Sequence, residues 1–369
     1  MIIGVPREIK KEEYRVGIIP AGINELKRDG HTVLVESGAG ASSGFPDDEY
    51  LDADADIVSK QTIFSKADLI VKVKEPLPPE YNLFREKQAI FTYLHLAPNR
   101  KLTEFLLNKK ITAFGYETLQ QGGSLPLLTP MSEIAGRMAP VMGAYYLQLI
   151  HGGTGVLATG TTGVKPAKAL ILGAGVVGTN SARVCIGLGI DTVVISKGPE
   201  KLQRLDELFM GRVKTLPVSM NTIEEEIQDS DIVIGAVLVP GARTPVLITK
   251  PMLKTMKKGA VIIDVAVDQG GCAATSVPTT HDNPVYTVDG VIHYTVANMP
   301  GAYPRTSTLA LTNATLPYIK AIVNSGIEKV IREDSAIRSA LNTYAGAVIN
   351  KIVADSMEIA FKDLDNITP

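Results

Sequence analysis

Residues 168–178 read KALILGAGVVG: an apolar run of strand character, then three glycines at fixed spacing, then a stretch free of strand breakers. The pattern G-x-G-x-x-G, here Gly173, Gly175 and Gly178 with Val176 and Val177 before the last, carries meaning only between a strand and a helix. Gly173 permits the tight turn, Gly175 lets a pyrophosphate approach the backbone, and Gly178 lets helix and strand pack closely. The phosphates then lie on the N–H groups and the positive end of that helix. A glycine-rich turn with no ligand is the bland alternative, and the strand-to-helix context weighs against it. This one segment commits the middle of the chain to a doubly wound sheet that binds a dinucleotide.

The rest of the chain follows the same alternation. IIGV (2–5), TVLVE (32–36), ADLIVKV (67–73), AIFTY (89–93) and ITAFGY (111–116) read as short, β-branched strands. Between them lie a helix opened by Pro20 and closed by Gly30, and another near 100–108. Such strand–helix–strand units argue for a mostly parallel sheet. TPMSEIAGRMAPVMGAYYLQLIHGG (129–153) reads as a long helix, with Thr129 as cap, Pro130 in the first turn and Gly152-Gly153 as its stop. Ile134, Met138, Val141 and Tyr145 form one apolar stripe along it. From about Lys165 a second series of strands follows: KALIL, TVVIS, DIVIGA, AVIIDVAV and VIHYTV. After PGAYPRT the pattern is helical to the end, with a kink or break expected at Pro317.

At 369 residues the chain is too long for one ordinary core. The expected fold class is α/β, with two Rossmann-like doubly wound parallel-sheet domains. The nucleotide domain, 129–304, is inserted in a domain made of 1–128 and a purely helical 305–369. A net charge of −2 gives no reason to expect nucleic acid or a membrane surface as partner. No apolar run approaches the ~20 residues of a membrane span. MIIGVPREIKKEE turns charged too soon for a signal peptide, and Cys185 and Cys272 fit no metal or redox spacing. A cytoplasmic compartment and no metal are the plain expectations.

The residue that should hold the adenosine ribose is missing. An acid is expected about 20 residues past the fingerprint, at the end of the second strand. That strand ends on Ser196, followed by Lys197. A hydroxyl and a cation can accept a 2′-phosphate, or Ser196 can still bond the ribose with Lys197 as a solvated charge. The residues alone leave NAD and NADP both open.

Other polar residues stand where polarity is costly. In AVIIDVAVDQGG, Asp264 interrupts a buried strand and reads as a structural acid, whereas Asp268 lies beyond the strand's carboxyl end, where open sheets bind ligands. The glycines Gly270 and Gly271 beside it suit the close approach of a ligand or another backbone. In LIVKVKEPLP, Lys72 and Lys74 share one face, and Lys74 is nearer the carboxyl end. His95 follows an apolar strand, and a satisfied core histidine is the competing reading. Arg15 offers a planar fork for a carboxylate or is a surface arginine, and Asn298 can address a nicotinamide amide.

The strings GVPREIKKEEYRVGIIPAGINEL, VKVKEPLP, FTYLHLA, GSLPLLTPMSEIAGRM, DIVIGAVLVPGA, DVAVDQGGC and VANMPGAYPRTSTLALTNATLPY resemble the alanine dehydrogenase family over nearly the whole chain. The pattern is shared by the NAD-binding α subunit of proton-translocating transhydrogenase, whose length fits less well. The resemblance implies reversible oxidative deamination of L-alanine to pyruvate and ammonium, with NAD as cofactor, in a homohexamer. It puts the substrate carboxylate on Arg15 and Lys74, and the acid/base roles on His95 and Asp268. It assigns dinucleotide contacts to Ser132, Val237, Leu238, Asn298 and Met299, with Lys201 joining Ser196 and Lys197 near the ribose. The family's ribose aspartate aligns on Ser196, so the cofactor question stays open.

Overall fold

The computed structural model describes residues 1–237 and 244–367. The chain divides into two compact units: Met1–Met131 with Gly301–Pro369, and Ser132–Pro300, inserted between them in sequence. The borders expected from the sequence are 128/129 and 304/305. In chain order the first stretch holds β1 (Ile2–Val5), β2 (Thr32–Glu36), β3 (Asp56–Val58), β4 (Leu69–Val71), β5 (Ala89–Thr92) and β6 (Thr112–Gly115). The insert holds β7 (Lys168–Leu172), β8 (Asp191–Ser196), β9 (Lys214–Pro217), β10 (Ile232–Gly235), β11 (Val261–Asp264), β12 (Val285–Val288) and β13 (Val291–Tyr294). The tail adds β14 (Leu341–Tyr344) and β15 (Ala347–Val348).

Both sheets are doubly wound. The first runs β15-β14-β6-β5-β4-β1-β2-β3 and the second β12-β13-β11-β10-β7-β8-β9. All pairings among β1–β6 are parallel; β14 joins β6 and β15 antiparallel, and β12 joins β13 antiparallel. Helices cover both faces of such sheets, so their central strands read as unbroken apolar runs. Every residue of β4, β5, β6, β10, β11 and β13 is buried. Each fully buried Ile, Leu or Val contributes about 1.5–3 kcal/mol, which fixes which face of each flanking helix turns inward. The helix Arg100–Asn108 shows the rule: Asn99 accepts the Leu102 N–H as its cap, and Leu102, Phe105 and Leu106 are buried.

In each sheet the strand order reverses beside the first strand, between β1 and β4 and between β7 and β10. Loops leaving the carboxyl ends of strands at such a reversal splay apart and leave a crevice. That rule fixes where each unit carries a site.

Three expectations need correction. The tail is not purely helical: β14 and β15 extend the first sheet, where Thr343 and Val348 bury β-branched side chains at its edge. The long helix ends at Tyr146, before the glycines, and Thr129 lies inside it with its hydroxyl bonded to the Leu125 carbonyl. Its buried side is not the predicted stripe. Val141 and Tyr145 are exposed, whereas Met131, Ala135, Met138 and Ala139 are buried. Small residues decide this: a side chain at Gly136 would strike the Val177 carbonyl, and one at Gly143 would strike Ile232. Close approach of backbones outweighs the larger but more distant apolar surface. Finally, of the kink or break expected at Pro317, the break does not occur: Pro304–Ser325 is one helix.

Candidate active site

In the first unit the loops beyond β1, β4, β5 and β6 carry nearly all the unusual chemistry. The loop after β1 supplies Glu8, Glu13 and Arg15; the segment after β4 supplies Lys72, Lys74 and Glu75; Tyr93 and His95 follow β5; Tyr116 and Glu117 follow β6. Arg15 is 2% exposed, and its Nε and Nη2 donate to both carboxylate oxygens of Glu13 at 2.6 and 2.5 Å. Its Nη1 donates to the Met131 sulfur at 2.9 Å. The Arg15 guanidinium is thereby held flat and at one angle. Burial pushes the Glu13 carboxyl up, but the Arg15 charge and its hydrogen bonds overcome this and hold it down at about 2.

Lys72 is wholly buried and bridges Glu80 at 2.8 Å and Glu8 at 3.2 Å. Burial pushes the Glu8 carboxyl up and Lys72 opposes it, while Glu8 anchors the next segment by accepting the Val73 N–H at 2.7 Å. The Lys72 side chain is therefore a strut, not a ligand. Lys74 is different. It is 8% exposed and closes no ion pair among the described residues. Burial pushes its ammonium down, and the neighbouring Arg15 charge adds to this, against the pull of Glu13. A buried cation beside a second cation is stabilised by any small anion that reaches it.

His95 is not a satisfied core histidine; it is exposed, with φ at +47°. That backbone conformation is strained for a residue with a Cβ and survives only when neighbours hold it. Here Glu117 accepts the His95 N–H at 2.7 Å and the Leu94 N–H at 3.1 Å. The imidazole faces Tyr93, whose hydroxyl bonds the Leu127 carbonyl, and its Nδ1 lies 3.9 Å from Glu75 Oε2.

In the second unit the fingerprint turn follows β7. Gly173 has φ +115°, and a side chain there would meet the Ala236 carbonyl at 2.5 Å. A side chain at Gly178 would strike the Gly173 carbonyl, whereas one at Gly175 meets nothing. So two glycines are required by the fold, and the third keeps a space open above the helix Val176–Gly187. Gly175 is the cap residue of that helix, and no side chain caps it. Its first N–H groups are free of any capping side chain on the side where a pyrophosphate would lie. The cradle fits a dinucleotide. Around it, β8 ends on half-buried Ser196, followed by exposed Lys197 and Lys201, and Val237 follows β10. Asn298, at φ +62°, and buried Met299 follow β13, and half-buried Ser132 stands near the start of the long helix. Leu238 lies outside the described residues.

Asp264 is fully buried and accepts from the N–H groups of Ala266 and Cys272 at 3.0 and 2.7 Å and from the Ser276 hydroxyl at 2.5 Å. It closes the turn that presents Asp268, which is exposed on Val267–Gln269. Gly271 serves this same turn, since a side chain there would strike Ser276 and Asp264, so the close approach that its glycine permits includes the protein's own chain. Sequence reasoning passed over Glu8, Glu13, Glu75, Glu80 and Glu117. The available signal was the density of acids in PREIKKEEYR directly after a strand, a place where solvated charges are the ordinary expectation. Among the described residues no cluster of metal-ligating side chains exists, and no helix is long and apolar enough to cross a membrane.

Two doubly wound sheets, one ending in a dinucleotide cradle and one in a buried cation cluster, define a dinucleotide-binding α/β protein with a place for a small anion. The comparisons narrow this class. The model described as "Alanine dehydrogenase/PNT, N-terminal domain" matches residues 4–135, and its C-terminal counterpart matches 139–351. The chain belongs to the alanine dehydrogenase/PNT family. Alanine dehydrogenase 2 of Staphylococcus aureus (strain USA300) is 50% identical over 367 residues, covering 99% of each chain. A solved L-alanine dehydrogenase matches with a TM-score of 0.94 at 47% identity, over 97% of this chain and 99% of that one. A transhydrogenase from Sinorhizobium meliloti matches with a TM-score of 0.81 at 25% identity, over 95% and 99%.

Proposed function

We propose that the chain catalyses the reversible reaction of L-alanine, NAD and water to pyruvate, ammonium, NADH and a proton. The observation that carries this is the 50% identity to an alanine dehydrogenase across 99% of both chains. The transhydrogenase-like alternative, hydride transfer to a partner protein, has the weaker support of a 25% identical structure. A homohexamer and a cytoplasmic location belong to the same proposal.

Arg15 and Lys74 hold the carboxylate of pyruvate or alanine. Arg15 is kept rigid by Glu13, and the buried Lys74 gains a close counter-ion. Fixing the substrate this way converts hydride transfer into an effectively intramolecular step. His95 and Asp268 move protons as ammonia adds to the pyruvate carbonyl carbon and water leaves, giving an iminium carbon. Gly173, Gly175, Val176, Val177 and Gly178 bind the pyrophosphate, Ser132, Val237 and Met299 contact the dinucleotide, and Asn298 addresses the nicotinamide. The bound dinucleotide supplies a hydride acceptor, or donor in the reductive direction. Ser196, Lys197 and Lys201 line the ribose end, where the missing acid permits NADP as well as NAD.

The test is the initial rate of NADH and of NADPH oxidation by the purified protein with pyruvate and ammonium. Turnover with NADH supports the reaction, and comparable turnover with NADPH shows that Ser196 and the lysines accept the 2′-phosphate. No turnover with either, with hydride exchange between nucleotides retained, overturns the dehydrogenase reading.

A further inference from the structure

We propose that Glu75 is the positioning residue of His95, fixing its tautomer by accepting a hydrogen bond from Nδ1 and leaving Nε2 to exchange protons. This rests on the acid/base role of His95 given above.

The two oxygens of Glu75 are treated unequally. Oε1 is bound by Lys10 Nζ at 2.6 Å. Oε2 is buried and has no hydrogen-bond partner. An open acceptor on a buried carboxylate is costly, more so than on a neutral group, so a native site needs a reason to keep one. The polar group facing it is His95 Nδ1 at 3.9 Å, too long for a hydrogen bond and about 1 Å short of one. The imidazole needs only a modest side-chain rotation to close that gap. Catalytic hydrogen bonds commonly tighten in this way once substrate is bound.

Three further observations favour the pair. Burial pushes Glu75 up, but Lys10 and then His95 hold it below the ordinary carboxylate range, so it is an anion at neutral pH. The left-handed backbone at His95 is held by Glu117, which follows the next strand, so the point from which the ring swings toward Glu75 is fixed. Glu75 follows Lys74 directly, so a substrate bound on Lys74 and the base that serves it are tied to one rigid segment. Among the described residues, the charged and titratable groups facing the pair include Lys10, Lys74, Glu117, Tyr81 and Tyr93.

The experiment is NMR titration of His95 in ring-labelled full-length protein, wild type against Glu75→Gln and Glu75→Asp, alongside steady-state kinetics. Glu75→Gln keeps the volume and an acceptor for Lys10 but removes the charge. The expected result is a His95 pKa lowered by about one unit and Nδ1–H no longer the dominant neutral tautomer. The kinetic limb due to His95 moves to lower pH, and kcat falls about 10- to 100-fold, with KM for pyruvate nearly unchanged. Glu75→Asp restores part of both. An unchanged His95 pKa and tautomer overturns the proposal, whatever happens to kcat. So does a rise in KM for ammonium alone, which would make Glu75 a substrate contact. His95→Ala separates the two ideas: near-normal turnover there removes the acid/base role, while the NMR shift in Glu75→Gln still reports the pair.

Discussion

The two units place their sites by the same rule and build them from opposite materials. Each site lies on loops leaving the carboxyl ends of strands, beside the reversal of strand order. In the first unit those loops bury charged side chains and lock them against one another: Glu13 on Arg15, and Glu8 and Glu80 on Lys72. In the second unit the cradle is bare backbone, three glycines before an uncapped helix, and its lysines and Asp268 are exposed. A three-carbon carboxylate has little surface to grip, so recognising it requires fixed charges out of water, where Coulomb forces are strong. A dinucleotide is large, and many weak contacts along its length suffice once the backbone can reach its phosphates.

Breaking this contrast should cost most where a buried charge loses its partner. Lys72→Met leaves Glu8 and Glu80 buried together, and denaturant unfolding should show a loss of about 3–5 kcal/mol. Lys74→Met, two residues away, removes a cation that has no ion pair among the described residues and should change stability by less than about 1 kcal/mol.

Acid should act next. Glu13 has a folded-state pKa of about 2 against an ordinary value of 4.5. Because the folded value is depressed, its contribution is fully present above the ordinary value and is lost as pH falls from there through about 2. The amount is on the order of 3 kcal/mol, and Glu13→Gln should flatten the acid limb of stability against pH.

A third effect belongs to the second unit alone. A Cβ at Gly175 meets no protein atom, so in Gly175→Ala melting should be unchanged while NADH affinity falls about 100-fold in a fluorescence titration. The smallest effect sharpens the ribose end: Ser196→Asp should favour NADH over NADPH by about tenfold more than the parent does.

How far each site was readable follows from the same contrast. The fingerprint was legible because glycine spacing encodes backbone shape locally, within eleven residues. Ser196 and Asp264 were legible too, since position on a strand fixes their surroundings. The ion network was not, because Glu13 next to Arg15 and Lys72 between Glu8 and Glu80 look like surface charges until the strands align their loops. The long helix was misread for a related reason: Gly136 and Gly143 reveal a packing face only once Val177 and Ile232 are known to lie against them. The strands of the tail escaped because β15 is two residues long and β14 directly follows the helix Ser335–Ala340.

The most direct test of the division of labour is to measure kcat/KM for pyruvate and NADH affinity together in Lys74→Met. If buried cations of the first unit hold the carboxylate and backbone of the second holds the nucleotide, kcat/KM falls about 1000-fold, equivalent to about 4 kcal/mol, while the NADH dissociation constant stays within about twofold. Retained turnover of pyruvate, or an NADH affinity that falls in step with it, would contradict the account.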